Sequence, residues 1–172
     1  PSEIHQEFID AVFHVEPPMS AAEQREVFES ILEDTLGAGC SIEVAQAIHD
    51  QLSSQIREHK ESKSTEPLIV TAGEIGKVLL ACGVTEENVA AFQVQCGERF
   101  GVGAVLDPAN LIDPGKYEVK TAQATIQVDP EFSYAVTTRV IDGRAYLLLP
   151  ADDIQVNGLP IQVTNGQETE TI

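Results

Sequence analysis

Side chains able to do chemistry are few in this sequence and stand far apart. Four histidines, His5, His14, His49 and His59, could act as acid–base groups or metal ligands near neutral pH. None has a second histidine four residues away, and no H-E-x-x-H or C-x-x-C spacing occurs. His49 and His59 are ten positions apart, about 15 Å along one helix, too far to share an ion. Scattered surface histidines are the expectation, and no metal ligand is assigned. The cysteines, Cys40, Cys82 and Cys96, are three and widely spaced. An odd, dispersed set reads as buried thiols in a reducing compartment rather than a disulfide framework. Cys40, just before a helix start at Ser41, comes nearest to the setting of an activated thiol.

Carboxylates outnumber cations 28 to 10, for a formal charge of −18. Most, such as Glu26, Glu29, Glu33 and Asp34, fall on solvent-facing helix positions, so they make a charged outer face rather than a catalytic pair. Asp152-Asp153 follows Pro150 and reads as turn chemistry. Gly101-Val102-Gly103 lacks the third glycine and the following helix of a phosphate cradle. No P-loop and no G-x-S-x-G appears. No catalytic, cofactor-binding or metal-binding residue is assigned, no cofactor is expected, and the pattern disfavours an enzyme. The acidic balance opposes binding to nucleic acid or to an anionic membrane surface. No apolar run approaches the roughly 20 residues of a membrane-spanning helix, and the dispersed thiols make the cytoplasm the expected setting.

The elements that hold these groups begin as helices. Ile4, Phe8, Ile9 and Val12 have helical spacing over Glu3 to Phe13, ended by Pro17-Pro18. Ser20-Ala21-Ala22-Glu23 is a capping box, followed by the apolar stripe Val27, Phe28, Ile31, Leu32 and Leu36 and then Gly37 and Gly39. The next helix starts at Ser41, with Val44, Ile48, Leu52 and Ile56 on one face, and the short connection predicts an antiparallel pair. Glu58 to Glu66 is polar and predicts a linker or an exposed helix end, mobile and with nothing to bury. Residues 1–66 hold 14 acids and 4 bases. The expected division is a helical subdomain over 1–66 and a second region over 67–172, unless the two are continuous.

Thr71-Ala72-Gly73-Glu74 is a second capping box, and Thr85-Glu86-Glu87 opens the helix after Gly83. The segment from Ile75 to Phe92 has helix-turn-helix spacing, with Val84 at the corner. A DNA reader would present polar or basic residues at the start of its second helix. Here that end carries Glu86 and Glu87, which favours a structural corner.

From Lys116 the period changes to two. Tyr117 and Val119 alternate with Glu118 and Lys120, and the phase shifts by one near Thr121 to Gln123, which predicts a bulge or strand break. Tyr134 to Ile141 and Arg144 to Leu149 flank Asp142-Gly143, and Ile154 to Val156 and Leu159 to Val163 flank Asn157-Gly158. Both dipeptides suit two-residue hairpin turns with the glycine at positive φ. Pro160 belongs on a sheet edge. The fold class is α+β: about five helices, then an antiparallel sheet of about five or six strands built from hairpins.

A turn at Asp142-Gly143 fixes a register. Ile141 then faces Arg144, Arg139 faces Tyr146 and Thr137 faces Leu148. The opposite, more apolar face pairs Val140 with Ala145, Thr138 with Leu147 and Val136 with Leu149, and is expected to pack on the helices. Arg139, Arg144 and Tyr146 would then share an exposed patch suited to carboxylate or phosphate recognition.

Several stretches together resemble a family of uncharacterised bacterial proteins, domain of unknown function 4317. They are Pro18-Met19-Ser20-Ala21-Ala22-Glu23-Gln24, Glu33-Asp34-Thr35-Leu36-Gly37, Glu118-Val119-Lys120-Thr121, Ile141-Asp142-Gly143-Arg144 and Val156-Asn157-Gly158. The resemblance runs through nearly the whole chain and looks like the C-terminal portion of a longer member, in keeping with a first residue that is not methionine. It implies a bacterial, cytosolic protein with further sequence upstream, and it carries no catalytic residue over. The expected function is a non-enzymatic interaction or accessory domain with a protein partner. The alternatives are nucleic-acid binding through residues 75–99 and an enzyme whose site needs the upstream sequence.

Overall fold

The structure, a computed structural model, describes residues 18–164. The helix expected over Glu3 to Phe13 and residues 165–172 lie outside the described residues. The other four expected helices are present. Helix α1 (Ala21–Leu36) starts at Ser20, whose hydroxyl accepts from the Glu23 N–H while Glu23 accepts from the Ser20 N–H. Helix α2 (Ile42–Ser62) is capped by Ser41. Helix α3 (Ala72–Ala81) carries the second capping box, Thr71 with Glu74. Helix α4 (Glu86–Phe100) is capped by Thr85, and acids in its first turn complement its dipole.

These helices enclose one apolar cluster running from Phe28 to Leu111, with Ile31, Leu52, Leu79 and Phe92 among its most buried members. Phe28 and Phe92 meet edge to face, their ring centroids 6.3 Å apart. The antiparallel α1–α2 pair expected from the short connection is not the main packing. Instead α1 lies along α4 and α2 along α3. The α1 and α2 stripes each bury against the α3–α4 corner, so that corner, rather than the partner next in sequence, forms the centre. At Gly76 an added Cβ would stand 3.1 Å from Val89 Cγ1 and closer still to Gln93. Glycine there permits the close approach of α3 to α4.

Two short elements were not visible in the residue pattern. Strand β1 (Val70–Thr71) pairs antiparallel with β2 (Val105–Leu106), bracketing α3 and α4. Helix α5 (Pro108–Leu111), capped by Asp107, closes the cluster against α1 and α2 with Leu111. Glu58 to Glu66 is largely exposed, as expected, but its first half continues α2 to Ser62, where Lys63 ends the helix in the left-handed conformation.

The C-terminal region is antiparallel and built from hairpins, though not as one sheet. Strands β3 (Tyr117–Lys120) and β4 (Thr125–Val128) form one ribbon. Strands β5 (Thr137–Ile141) and β6 (Arg144–Leu148) form a second, and β7 (Gln155–Val156) and β8 (Leu159–Pro160) a third. The phase shift near Thr121 is a hairpin loop, in which Thr121 Oγ1 accepts from the N–H groups of Gln123 and Ala124. Tyr134 to Val136 is not strand, because a 3₁₀ segment, Pro130–Ala135, capped by Asp129, occupies that stretch. This segment, and the turn near Asp153 with φ of 54°, separate the ribbons and prevent a continuous ladder. Both expected turns are two-residue turns with both central residues at positive φ, Asp142-Gly143 at 50° and 79° and Asn157-Gly158 at 51° and 84°. This is the type I′ signature.

Candidate functional site

The β5–β6 ribbon has the register read from the sequence, residue for residue: Ile141 with Arg144, Arg139 with Tyr146, Thr137 with Leu148. Period-two alternation therefore brings Arg139, Arg144 and Tyr146 onto one face, and all three are exposed. The Arg144 guanidinium carbon lies 5.9 Å from the Tyr146 ring centroid, within reach of cation–π attraction. The only side-chain ion pairs among the described residues join Glu118 to Lys116 and Lys120, each at 3.7 Å. Arg139 and Arg144 thus have no carboxylate partner among those residues.

The opposite face corrects the sequence reading. Of the set expected to pack on the helices, Val136 is buried at 2% exposure and Leu147 is half-buried. Val140 is 70% exposed, Leu149 is exposed, and Thr138 and Ala145 are exposed as well. The ribbon is held at its base. Val136 is sunk into the protein, and the buried Ser133 directs its hydroxyl at Asp50 of α2 at 3.5 Å. Beyond that anchor the ribbon is exposed on both faces. Alternation shows which residues share a face, but the 3₁₀ segment decides whether a face meets the core, and its geometry lies outside a period-two pattern.

A second assembly surrounds His49, the one buried histidine among the described residues. Its Nε2 lies 3.0 Å from the Asp113 carbonyl, which can only accept, so Nε2 carries hydrogen. In the neutral ring Nδ1 then accepts from the Ser53 hydroxyl at 3.3 Å. Tyr117 meets the ring edge-on at 5.5 Å. A hydroxyl, an imidazole and an orienting carbonyl outline a nucleophile–base pair beside a polar groove of about 590 Å³. That groove is also lined by Asp50, Asp129 and Glu131. Against the one cation of the lining, Arg57, these three carboxylates leave the groove net negative, which opposes the developing oxyanion of acyl transfer. With both ring nitrogens satisfied, His49 ties the Asp113 loop and the β3–β4 ribbon to α2. It supports the fold, and sequence reading, which placed it among surface histidines, missed its burial. Burial also raises the Tyr117 hydroxyl pKa, helped by the charges of Asp50 and Glu43.

The remaining sequence candidates are dispersed. Cys40, Cys82 and Cys96 are free thiols, but against the expectation of three buried ones only Cys96 is buried, Cys82 is half-buried and the Cys40 residue is exposed, its thiol only partly shielded. Burial raises the pKa of Cys40, and the Glu33 carboxylate raises it further, so the helix start after it does not activate the thiol. Burial pushes Cys96 up to about 11. The α3–α4 corner has the expected packing, with Leu79, Val84 and Val89 buried and Gly83 at positive φ. Its outer end presents exposed Glu86 and Glu87, which repel phosphate. No group of three or more metal-ligating side chains stands together among the described residues, and none of the described helices is long and apolar enough to cross a membrane. An apolar groove of about 640 Å³ beside the C-terminal half of α4 includes Val94 and Val102, the latter 97% exposed.

Comparison with known proteins gives a family and no assigned activity. The sequence model of the family described as Domain of unknown function (DUF4317) matches residues 1–159. The narrower expectation of a C-terminal portion finds no support in a match running through most of the chain. No curated protein and no solved structure is matched by the chain.

Proposed function

The chain belongs to the domain of unknown function 4317 family, and from that premise we propose that it is a non-enzymatic protein-interaction domain of a bacterial cytosolic protein. The contact face on this reading is the β5–β6 ribbon, with Arg139, Arg144 and Tyr146. One observation carries it: a ribbon rich in Val, Ile, Tyr and Leu stands exposed on both faces. An isolated two-stranded ribbon is marginal in water, and clustered exposed apolar side chains with a polar rim mark interaction surfaces. Three free thiols support a reducing compartment.

A photo-crosslinking residue at position 146 tests the proposal in cells. It should trap a specific partner, and the Arg139→Glu/Arg144→Glu variant should lose that partner while keeping the same circular dichroism and melting temperature. Unchanged capture by the charge-reversed variant would contradict the proposed face.

A further inference from the structure

We infer that the outer edge of β6 is a strand-addition site for an extended acidic segment of a partner protein, an inference that rests on the interaction reading above. In a two-residue hairpin the residues flanking the turn, Ile141 and Arg144, exchange both ladder hydrogen bonds. Alternation then makes Val140–Ala145 and Thr138–Leu147 the non-hydrogen-bonded pairs. The N–H and C=O groups of Ala145 and Leu147 therefore point away from β5. Among the described residues nothing else hydrogen-bonds to them. Strand β5 approaches α2 more closely than β6 does, so β6 offers the more open edge.

Proteins blunt such edges with proline, lysine, short strands or bulges. The other C-terminal ribbons do so in part. Strand β3 carries Glu118 and Lys120 and follows Lys116, the four-residue β4 has neither lysine nor proline, and β7 and β8 are two residues each, with Pro160 ending β8. Strand β6 runs five residues in unbroken register, without proline, lysine or bulge. It is a longer undefended edge than that of β4.

Charge selects the occupant. Residues 132–151 contain Arg139, Arg144 and a single acid, Asp142, in a chain of net charge −18. Screening over about 8 Å at physiological salt makes that local excess the field an incoming segment meets. A second copy would bring ribbons of the same sign together. A partner strand lying antiparallel along β6 places alternate side chains opposite Leu148, Tyr146 and Arg144 on the arginine face. The matching segment therefore alternates an apolar residue, a tolerant position and a carboxylate, with arginine and carboxylate able to pair through two hydrogen bonds.

The probe is a synthetic eight-residue peptide alternating threonine with leucine, tyrosine, glutamate and glutamate, together with its reversed order and a lysine-for-glutamate control. One glutamate peptide should bind the full chain in the micromolar range, slowing amide exchange at Ala145 and Leu147, and the lysine control should not. Ala145→Pro removes an edge donor but no β5–β6 ladder bond, and should weaken binding at least tenfold. N-methylating the peptide at every second residue should abolish binding in one phase and spare it in the other, a result independent of how any variant folds. Loss on Arg139→Glu/Arg144→Glu, with neither amide protection nor phase dependence, would leave the arginine face standing and overturn strand addition. Equal binding by the charge-reversed variant, or no binding by any peptide, would overturn both. Dimerisation of the chain that Ala145→Pro abolishes would make the occupant a second copy and contradict the acidic partner.

Discussion

The helical part and the β5–β6 ribbon use similar apolar side chains to opposite ends. In α3 and α4, Ile75, Leu79, Val89 and Phe92 recur at helical spacing and all are buried in one cluster. In the ribbon, Ile141, Tyr146 and Leu148 share one face and Val140 lies on the other, and all four are exposed. Hydrophobicity alone does not separate the two. What separates them is whether neighbouring elements cover the face, and the ribbon is anchored chiefly at its base, at Ser133 and Val136. A core spends its apolar surface on stability, whereas an uncovered ribbon keeps that surface for contact.

The largest expected effect tests this contrast directly. Phe92→Ala should cost about 3–5 kcal/mol in urea unfolding, since Phe92 is fully buried against Phe28. Val140→Ala should stay within about 0.5 kcal/mol. Comparable losses at the two sites would mean that the ribbon is packed.

A pH series sharpens the same comparison. The Cys96 thiol, raised from 9.0 to about 11 by burial, favours the folded state while protonated in both states. That stability is complete below pH 9 and is lost as pH rises from 9 to 11, by no more than about 3 kcal/mol. Burial of Tyr117 acts with the same sign at slightly higher pH. Cys96→Ala should flatten the part of the decline due to the thiol, while ribbon variants leave it unchanged.

Smaller effects are expected where single local devices fail. Gly143→Ala places a side chain at φ of 79° and should cost about 1–2 kcal/mol of hairpin stability. Its signature is faster amide exchange at Arg139 and Tyr146 with an unchanged unfolding midpoint. Thr71→Ala should instead shift the global midpoint by about 1 kcal/mol, because its capping box belongs to α3 and the core.

Local signals explain why some of this was legible. Ser20, Ser41, Thr71 and Thr85 announce four helix starts by chemistry confined to four residues, and all four cap as read. Asp142-Gly143 likewise fixes a turn, and the turn fixes the whole β5–β6 register. What failed was non-local. The pairing of Val70 with Leu106 joins residues 36 positions apart and leaves no periodic trace in two-residue strands. The burial of His49 depends on Asp113, which reaches it from a distant loop. The splitting of the β region into separate ribbons depends on the 3₁₀ segment, whose proline start resembles an ordinary turn. For the candidate site, the members of the arginine face were readable, and the exposure of its reverse side was not.

Residue-resolved amide hydrogen exchange on the isolated chain tests most directly the claim that the ribbon stands uncovered. Amides of Leu79 and Phe92 should exchange only through global unfolding, those of Arg139 and Tyr146 through local opening of the hairpin, and those of Ala145 and Leu147 at nearly unprotected rates. Ala145 and Leu147 exchanging as slowly as Phe92 would mean that the β6 edge is already paired, and would contradict the account.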